Sequence, residues 1–166
     1  MKKILIISTG GTFNKVYNPT DGKLVVDTKS KAIQHIAKKW LTDFNIKNII
    51  GKDSLEMDDN DRQLLINTVI GSKEKTIIII HGTDTMDKSA VELAHAECKK
   101  LVIFTGAMVP YHIDSVEATA NLSSAIGYAN GLEKNGVYIA MNGVFGEYSQ
   151  VTKDRKKGKF VAKTFN

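Results

Sequence analysis

Ile4-Leu5-Ile6-Ile7-Ser8-Thr9-Gly10-Gly11-Thr12 is the stretch that decides the fold. An apolar run without polar alternation reads as a strand covered on both faces, as in the interior of a parallel sheet. It runs straight into a glycine turn, too soon for the apolar core of a secretory leader. The pattern recurs at Ile77-Ile78-Ile79-Ile80-His81-Gly82-Thr83-Asp84-Thr85. Each strand leaves a threonine hydroxyl just past its C-terminal end, the edge where open α/β sheets bind ligands.

Outward from these two runs, Ile46–Ile50, Leu101–Thr105 and Val137–Met141 read as further buried strands beside Ile4–Ser8 and Thr76–His81. Helical spacing lies between them. Ile33, Ile36, Ala37, Trp40, Leu41 and Phe44 share one face, with Ser30 as the expected N-cap. Leu64, Leu65, Thr68 and Val69 follow the acidic start Asp58-Asp59-Asn60-Asp61, which suits a helix N-terminus. Two more helices are expected over Ser89–Cys98 and Ser115–Leu132. The alternation predicts a single three-layer α/β/α domain around an open, mostly parallel sheet of the Rossmann or flavodoxin-like kind. Residues 13–28 lack a helical pattern. Val16-Tyr17, Asn18-Pro19-Thr20-Asp21-Gly22 and Leu24-Val25-Val26 read as a hairpin, and long connections of this kind tend to be functional lids. Hinged beside Thr12, such a lid is expected to bring Tyr17 near it.

The 166 residues fit one domain. A lone Cys98 excludes an intrachain disulfide and fits a reducing, cytoplasmic compartment. No apolar run approaches the length of a membrane span. The net charge of +5 collects near Lys153, Arg155, Lys156, Lys157, Lys159 and Lys163. Without interleaved aromatics or a reader motif, that cluster reads as a solvated face, so neither nucleic acid nor a membrane is expected as a partner. His35, His81, His95 and His112 lack metal-ligand spacing, and no metal is expected. The glycine patterns of dinucleotide and P-loop sites are also absent.

If the sheet is parallel, its strand ends converge. They present Gly11-Thr12, Asp53-Ser54-Leu55, Gly82-Thr83-Asp84, Gly106-Ala107-Met108, and Asn142-Gly143 followed by Val151-Thr152-Lys153. This inventory is that of an acyl-transfer site. A threonine hydroxyl becomes a nucleophile only when a neighbour takes its proton, and a desolvated lysine can do so. Glycine turns let backbone N–H groups approach a developing oxyanion. Asp84 suits a substrate ammonium, and Ser54 with nearby N–H groups suits a carboxylate.

Thr9-Gly10-Gly11-Thr12 and His81-Gly82-Thr83-Asp84-Thr85-Met86 resemble the two signature motifs of bacterial-type L-asparaginases. Thr105-Gly106-Ala107-Met108-Val109-Pro110, Asn121-Leu122 and Val151-Thr152-Lys153 are similar to three further segments of that family, in the same order. The resemblance implies an amidohydrolase without metal or organic cofactor that converts L-asparagine to L-aspartate and ammonia. It implies Thr12 as the nucleophile assisted by Tyr17, and Thr83, Asp84 and Lys153 as a second, triad-like catalytic group. Gly11, Ser54, Leu55, Gly82, Asp84 and Ala107 would then bind substrate. It also implies a short-chain form, with residues 1–166 as the catalytic domain and without the smaller C-terminal domain of long members, assembling as a homo-oligomer. Thr12-Phe13-Asn14-Lys15 departs from the Ile and small residue that follow the nucleophile in many relatives, so a different hinge is expected. Alternatives at this level are a glutaminase or an ammonia-supplying amidotransferase subunit. From another class, the alternative is a non-catalytic module binding an amino acid or nucleotide.

Overall fold

The computed structural model describes residues 2–163. In chain order its strands are β1 (Ile4–Gly10), β2 (Lys15–Asn18), β3 (Lys23–Val26), β4 (Asn45–Lys52), β5 (Thr76–Ile80), β6 (Leu101–Thr105), β7 (Gly136–Met141), β8 (Val144–Glu147), β9 (Val151–Asp154) and β10 (Lys159–Ala162). Its α-helices are α1 (Lys31–Lys39), α2 (Asp59–Gly71), α3 (Met86–His95) and α4 (Ser115–Gly131).

The main sheet runs β4-β1-β5-β6-β7-β8, parallel except for β8, which returns antiparallel to β7. Chain order reverses between β1 and β5, so their C-terminal ends flank the topological switch point. The isoleucine runs divide by alternation. Ile6, Ile78, Ile80 and Ile103 face one helical layer, with Ile33 and Ile36 of α1 and Ala118, Leu122 and Ala125 of α4. Leu5, Ile7, Ile77, Ile79 and Phe104 face the other, with Leu65 and Val69 of α2 and Ala90 and Leu93 of α3. The sheet is therefore covered on both faces, which is why its strands carry no polar alternation.

Several boundaries differ from the sequence reading. α1 stops at Lys39 rather than reaching Phe44. Leu41 takes φ 53°, Thr42 N–H donates to the Ala37 carbonyl at 3.0 Å, and Leu41 N–H donates to Lys38. That is a Schellman closure, which ends the helix although apolar spacing continues. Ser30 occupies the N-cap position but does not cap. It has φ 52°, and its hydroxyl goes to the Asn48 side chain. The Asp27 carboxylate instead accepts the Lys31 N–H at 2.8 Å. α2 follows its acidic signal, with Asp58 and Asp61 forming a reciprocal capping box. α3 starts three residues earlier than expected and ends at His95, leaving Cys98 beyond it. The hairpin over residues 13–28 forms as β2–β3. The sequence reading missed β8 and the β9–β10 hairpin. Among the described residues, no helix is long and apolar enough to cross a membrane.

Candidate functional site

Three turns stack at the carboxyl edge of the sheet. Gly11 follows β1 at φ 72°, and its N–H donates to the Lys52 carbonyl at 2.9 Å. A Cβ on Gly11 would lie 2.5 Å from the Gly82 nitrogen, and one on Gly82 would lie 2.6 Å from the Ser54 Oγ. Only hydrogen fits between these backbones. The turns after β1, β5 and β4 therefore touch, as the sequence reading required. Thr9 adds a tie, donating its hydroxyl to the Ile80 carbonyl at 3.1 Å. Gly11→Ala combines positive-φ strain with an overlap against backbone and is expected to cost more than about 2 kcal/mol. Urea denaturation checks this, and an unchanged midpoint would contradict the close approach.

Thr12 opens a single 3-10 turn, Thr12–Asn14, and is half-buried. Its hydroxyl makes no hydrogen bond among the described residues. Phe13 and Asn14 behind it are fully buried. Asn14 Nδ2 donates to the Ser8 hydroxyl at 3.0 Å, and its carbonyl accepts the Asp27 N–H at 2.9 Å. The Phe-Asn pair thus fastens the base of the hairpin at both of its ends.

Thr83 is buried beside this turn. Lys153 Nζ donates to Thr83 Oγ1 at 2.9 Å and to Asp84 Oδ1 at 2.7 Å. The lysine arrives on β9, whose hairpin is pinned to the core by Val151 and Phe160. Its side chain is 12% exposed and that of Asp84 38%. Arg155, from the same hairpin, donates to the Asp84 carbonyl at 2.7 Å. Thr83, Asp84 and Lys153 are thus brought together by elements 70 residues apart in the chain.

Ser54 begins a short 3-10 turn and is buried, with no partner for its hydroxyl among the described residues. Asp53 holds that turn by accepting the Leu55 N–H at 3.2 Å, and Lys15 pairs with Asp53 at 2.6 Å. Burial works against ionisation of Asp53, but the Lys15 ammonium and the Leu55 and Ser54 N–H groups outweigh it and hold its carboxyl below the usual range. Leu55 is exposed and borders a groove with Leu24 and Val25 of the hairpin. Tyr17 is 64% exposed, and its hydroxyl lies toward the hairpin turn at Gly22. The structure does not join it to Thr12.

His81 is fully buried, and its Nδ1 lies 2.7 Å from the Gly82 carbonyl. A carbonyl only accepts, so Nδ1 carries the proton. Burial lowers its pKa from 6.5 to about 4. Between those values the unfolded chain binds a proton that the folded chain refuses. The associated stability is present above pH 6.5 and is lost as pH falls toward 4, about 3 kcal/mol in all. Urea unfolding at pH 7 and 4.5 should show this loss, and His81→Gln should remove most of the difference.

Sequence reasoning missed the supports of the Ala107 turn. Ala107 is buried, and Asn121 Nδ2 donates to the neighbouring Gly106 carbonyl at 2.9 Å. The Asn121-Leu122 segment was a signal, but one without a role attached. Among the described residues no cluster of His, Cys, Asp or Glu could hold a metal ion.

A doubly wound sheet that gathers hydroxyls and a lysine–carboxylate pair at its switch point defines the class: an open α/β domain, a kind of fold in which ligands bind at that edge. Comparison with known proteins narrows it. Residues 3–161 match the family model described as "Asparaginase, N-terminal", and the chain belongs to the asparaginase family. It is 30% identical over 160 residues to a protein named "Probable L-asparaginase periplasmic" from Haemophilus influenzae, covering 86% of this chain and 43% of the relative. It is 29% identical over 164 residues to "L-asparaginase 2" of Escherichia coli, covering 92% and 47%. Among solved structures, a "Probable Cytoplasmic L-asparaginase" from Campylobacter jejuni superposes with a TM-score of 0.80 at 26% identity, over 98% of this chain and 53% of that one. The thermostable L-asparaginase of Thermococcus kodakarensis does so at 0.82 and 22% identity, over 98% and 52%, a likeness of fold. The chain spans about half the length of the curated relatives it matches.

Proposed function

We propose that this chain hydrolyses L-asparagine to L-aspartate and ammonia through a threonine acyl-enzyme. The observation that carries the reading is the Lys153 ammonium bridging the Thr83 hydroxyl and the Asp84 carboxylate, on a turn whose Gly82 touches Gly11, next to Thr12 in the chain. In this reading Thr12 attacks the side-chain amide carbon, ammonia leaves, and water then releases aspartate. Thr83 and Lys153 handle protons, and the outer oxygen of Asp84 holds the substrate ammonium. The unpartnered Ser54 hydroxyl receives the α-carboxylate. The Gly11 and Gly82 turns and the Ala107 backbone line the reacting amide. Leu55 contributes backbone at the rim, and Tyr17 assists only when the hairpin turns inward over Thr12. L-Glutamine is the candidate second substrate.

Residues 1–166 act as a catalytic domain in this proposal, and the working form is a homo-oligomer. The single cysteine supports a cytoplasmic setting, although relatives carry both periplasmic and cytoplasmic names. Ammonia release from asparagine, glutamine and simple amides tests the reading. No turnover of any of them would sink it in favour of a binding module.

A further inference from the structure

We infer that Glu117 is a positioning residue whose carboxylate aims the Gly106–Val109 turn, and with it the Ala107 backbone, at the reacting amide. This rests on the hydrolase reading above. Glu117 lies in the first turn of α4. Both of its oxygens accept the Met108 N–H at 3.0 Å, and Oε2 also accepts the Val109 N–H at 2.9 Å. Oε1 accepts the Asn142 side-chain amide at 2.9 Å. Four residues on, on the same helix face, Asn121 repeats the bridge in neutral form. Its Nδ2 donates to the Gly106 carbonyl, and its Oδ1 accepts the Asn142 N–H at 3.0 Å. One face of α4 thus clamps the turns that follow both β6 and β7.

The clamp bears on the site because of what the turn presses against. A Cβ on Gly106 would lie 2.4 Å from the His81 carbonyl, so this turn is packed directly on the segment leading to Thr83. Ala107 has no polar side-chain atom and can offer a substrate only its backbone groups. Their direction is set by the residues on either side: Gly106, held by Asn121, and Met108, held by Glu117. A carboxylate accepting backbone N–H groups makes stronger bonds than a neutral acceptor, and two oxygens fix orientation as well as distance.

The variants separate reach from charge. Glu117→Ala removes the carboxylate's bonds to Met108, Val109 and Asn142 while Asn121 still holds Gly106, and alanine suits the first turn of a helix, so the fold is expected to survive. Glu117→Gln keeps one oxygen for the two backbone N–H groups. Its amide nitrogen can then meet the Asn142 side chain once that amide turns over to present oxygen. With asparagine, Glu117→Ala should lower kcat about 10–100-fold and leave KM within about threefold, because the reacting amide is misaligned while the substrate's charged ends stay gripped. Glu117→Gln should fall between the parent and the alanine variant, since one oxygen still holds the two N–H groups while the charge and the second oxygen are lost. Amide hydrogen exchange at Met108 and Val109 should accelerate most in the alanine variant.

An alanine variant with parent kcat, or with unchanged exchange at Met108 and Val109, overturns the inference. So does a glutamine variant as impaired as the alanine one. If the parent chain releases no ammonia, the hydrolase reading and the catalytic half of this proposal fail together. The exchange rates still decide whether Glu117 holds the turn.

Discussion

Thr12→Ala is expected to abolish turnover of asparagine, with kcat falling about four to six orders of magnitude. The reason is local. Thr12 directly follows the glycine turn of β1, is half-exposed and has no hydrogen-bond partner for its hydroxyl among the described residues, whereas Thr83 is already held by Lys153. The loss should fall on kcat, because the groups expected to grip the substrate's charged ends, Ser54 and Asp84, are untouched. Stability should change little, since the hydroxyl satisfies no buried partner. Ammonia release under saturating asparagine and urea denaturation check the two halves. A variant with near-parent kcat would move the nucleophile to Thr83.

Lys153→Met is expected to lower kcat about 10²–10⁴-fold, the range for a group that moves a proton in the transition state. Methionine fills the volume of the lysine stem but can neither donate to Thr83 nor balance Asp84. The folded state should persist, because the hairpin is held by Val151 and Phe160 and the Asp84 side chain is 38% exposed, open enough for water to replace the lost partner. Circular dichroism and steady-state ammonia release test this together. Unchanged kcat with an intact fold would remove Lys153 from the chemistry and leave it an ordinary ion pair.

The parts of this protein that could be read from its residues are those where one physical effect dominates. Uninterrupted isoleucine runs have few options besides a covered strand, and the five expected parallel strands are present, Leu101–Thr105 with the expected bounds and the other four with shifted ends. Two glycine turns after two such strands implied a shared edge, and the contact of Gly11 with Gly82 supplies it. Where effects compete, the reading went astray. Apolar spacing continued past Lys39, but the backbone closed the helix at Leu41, a residue 94% exposed despite its side chain. The strands Val144–Glu147 and Lys159–Ala162 are too short and mixed for alternation to register, and the second is anchored chiefly by Phe160. Tyr17 was expected beside Thr12 but stands out from the site, because hairpin register sets the face of a side chain and its hinge sets the distance. The grip of Glu117 on Met108, Val109 and Asn142 had no local signature, since it exists only once α4 has docked across two strands.

The β9–β10 hairpin gives the molecule an order of events. Eight strands and four α-helices precede β9, so a ribosome delivers the Thr12, Ser54 and Thr83 hydroxyls before it delivers the ammonium that holds Thr83. The Gly11 and Gly82 turns, which touch each other, both lie within what is made first. On the hydrolase proposal, the hairpin fastened by one valine and one phenylalanine is then the element that completes the site.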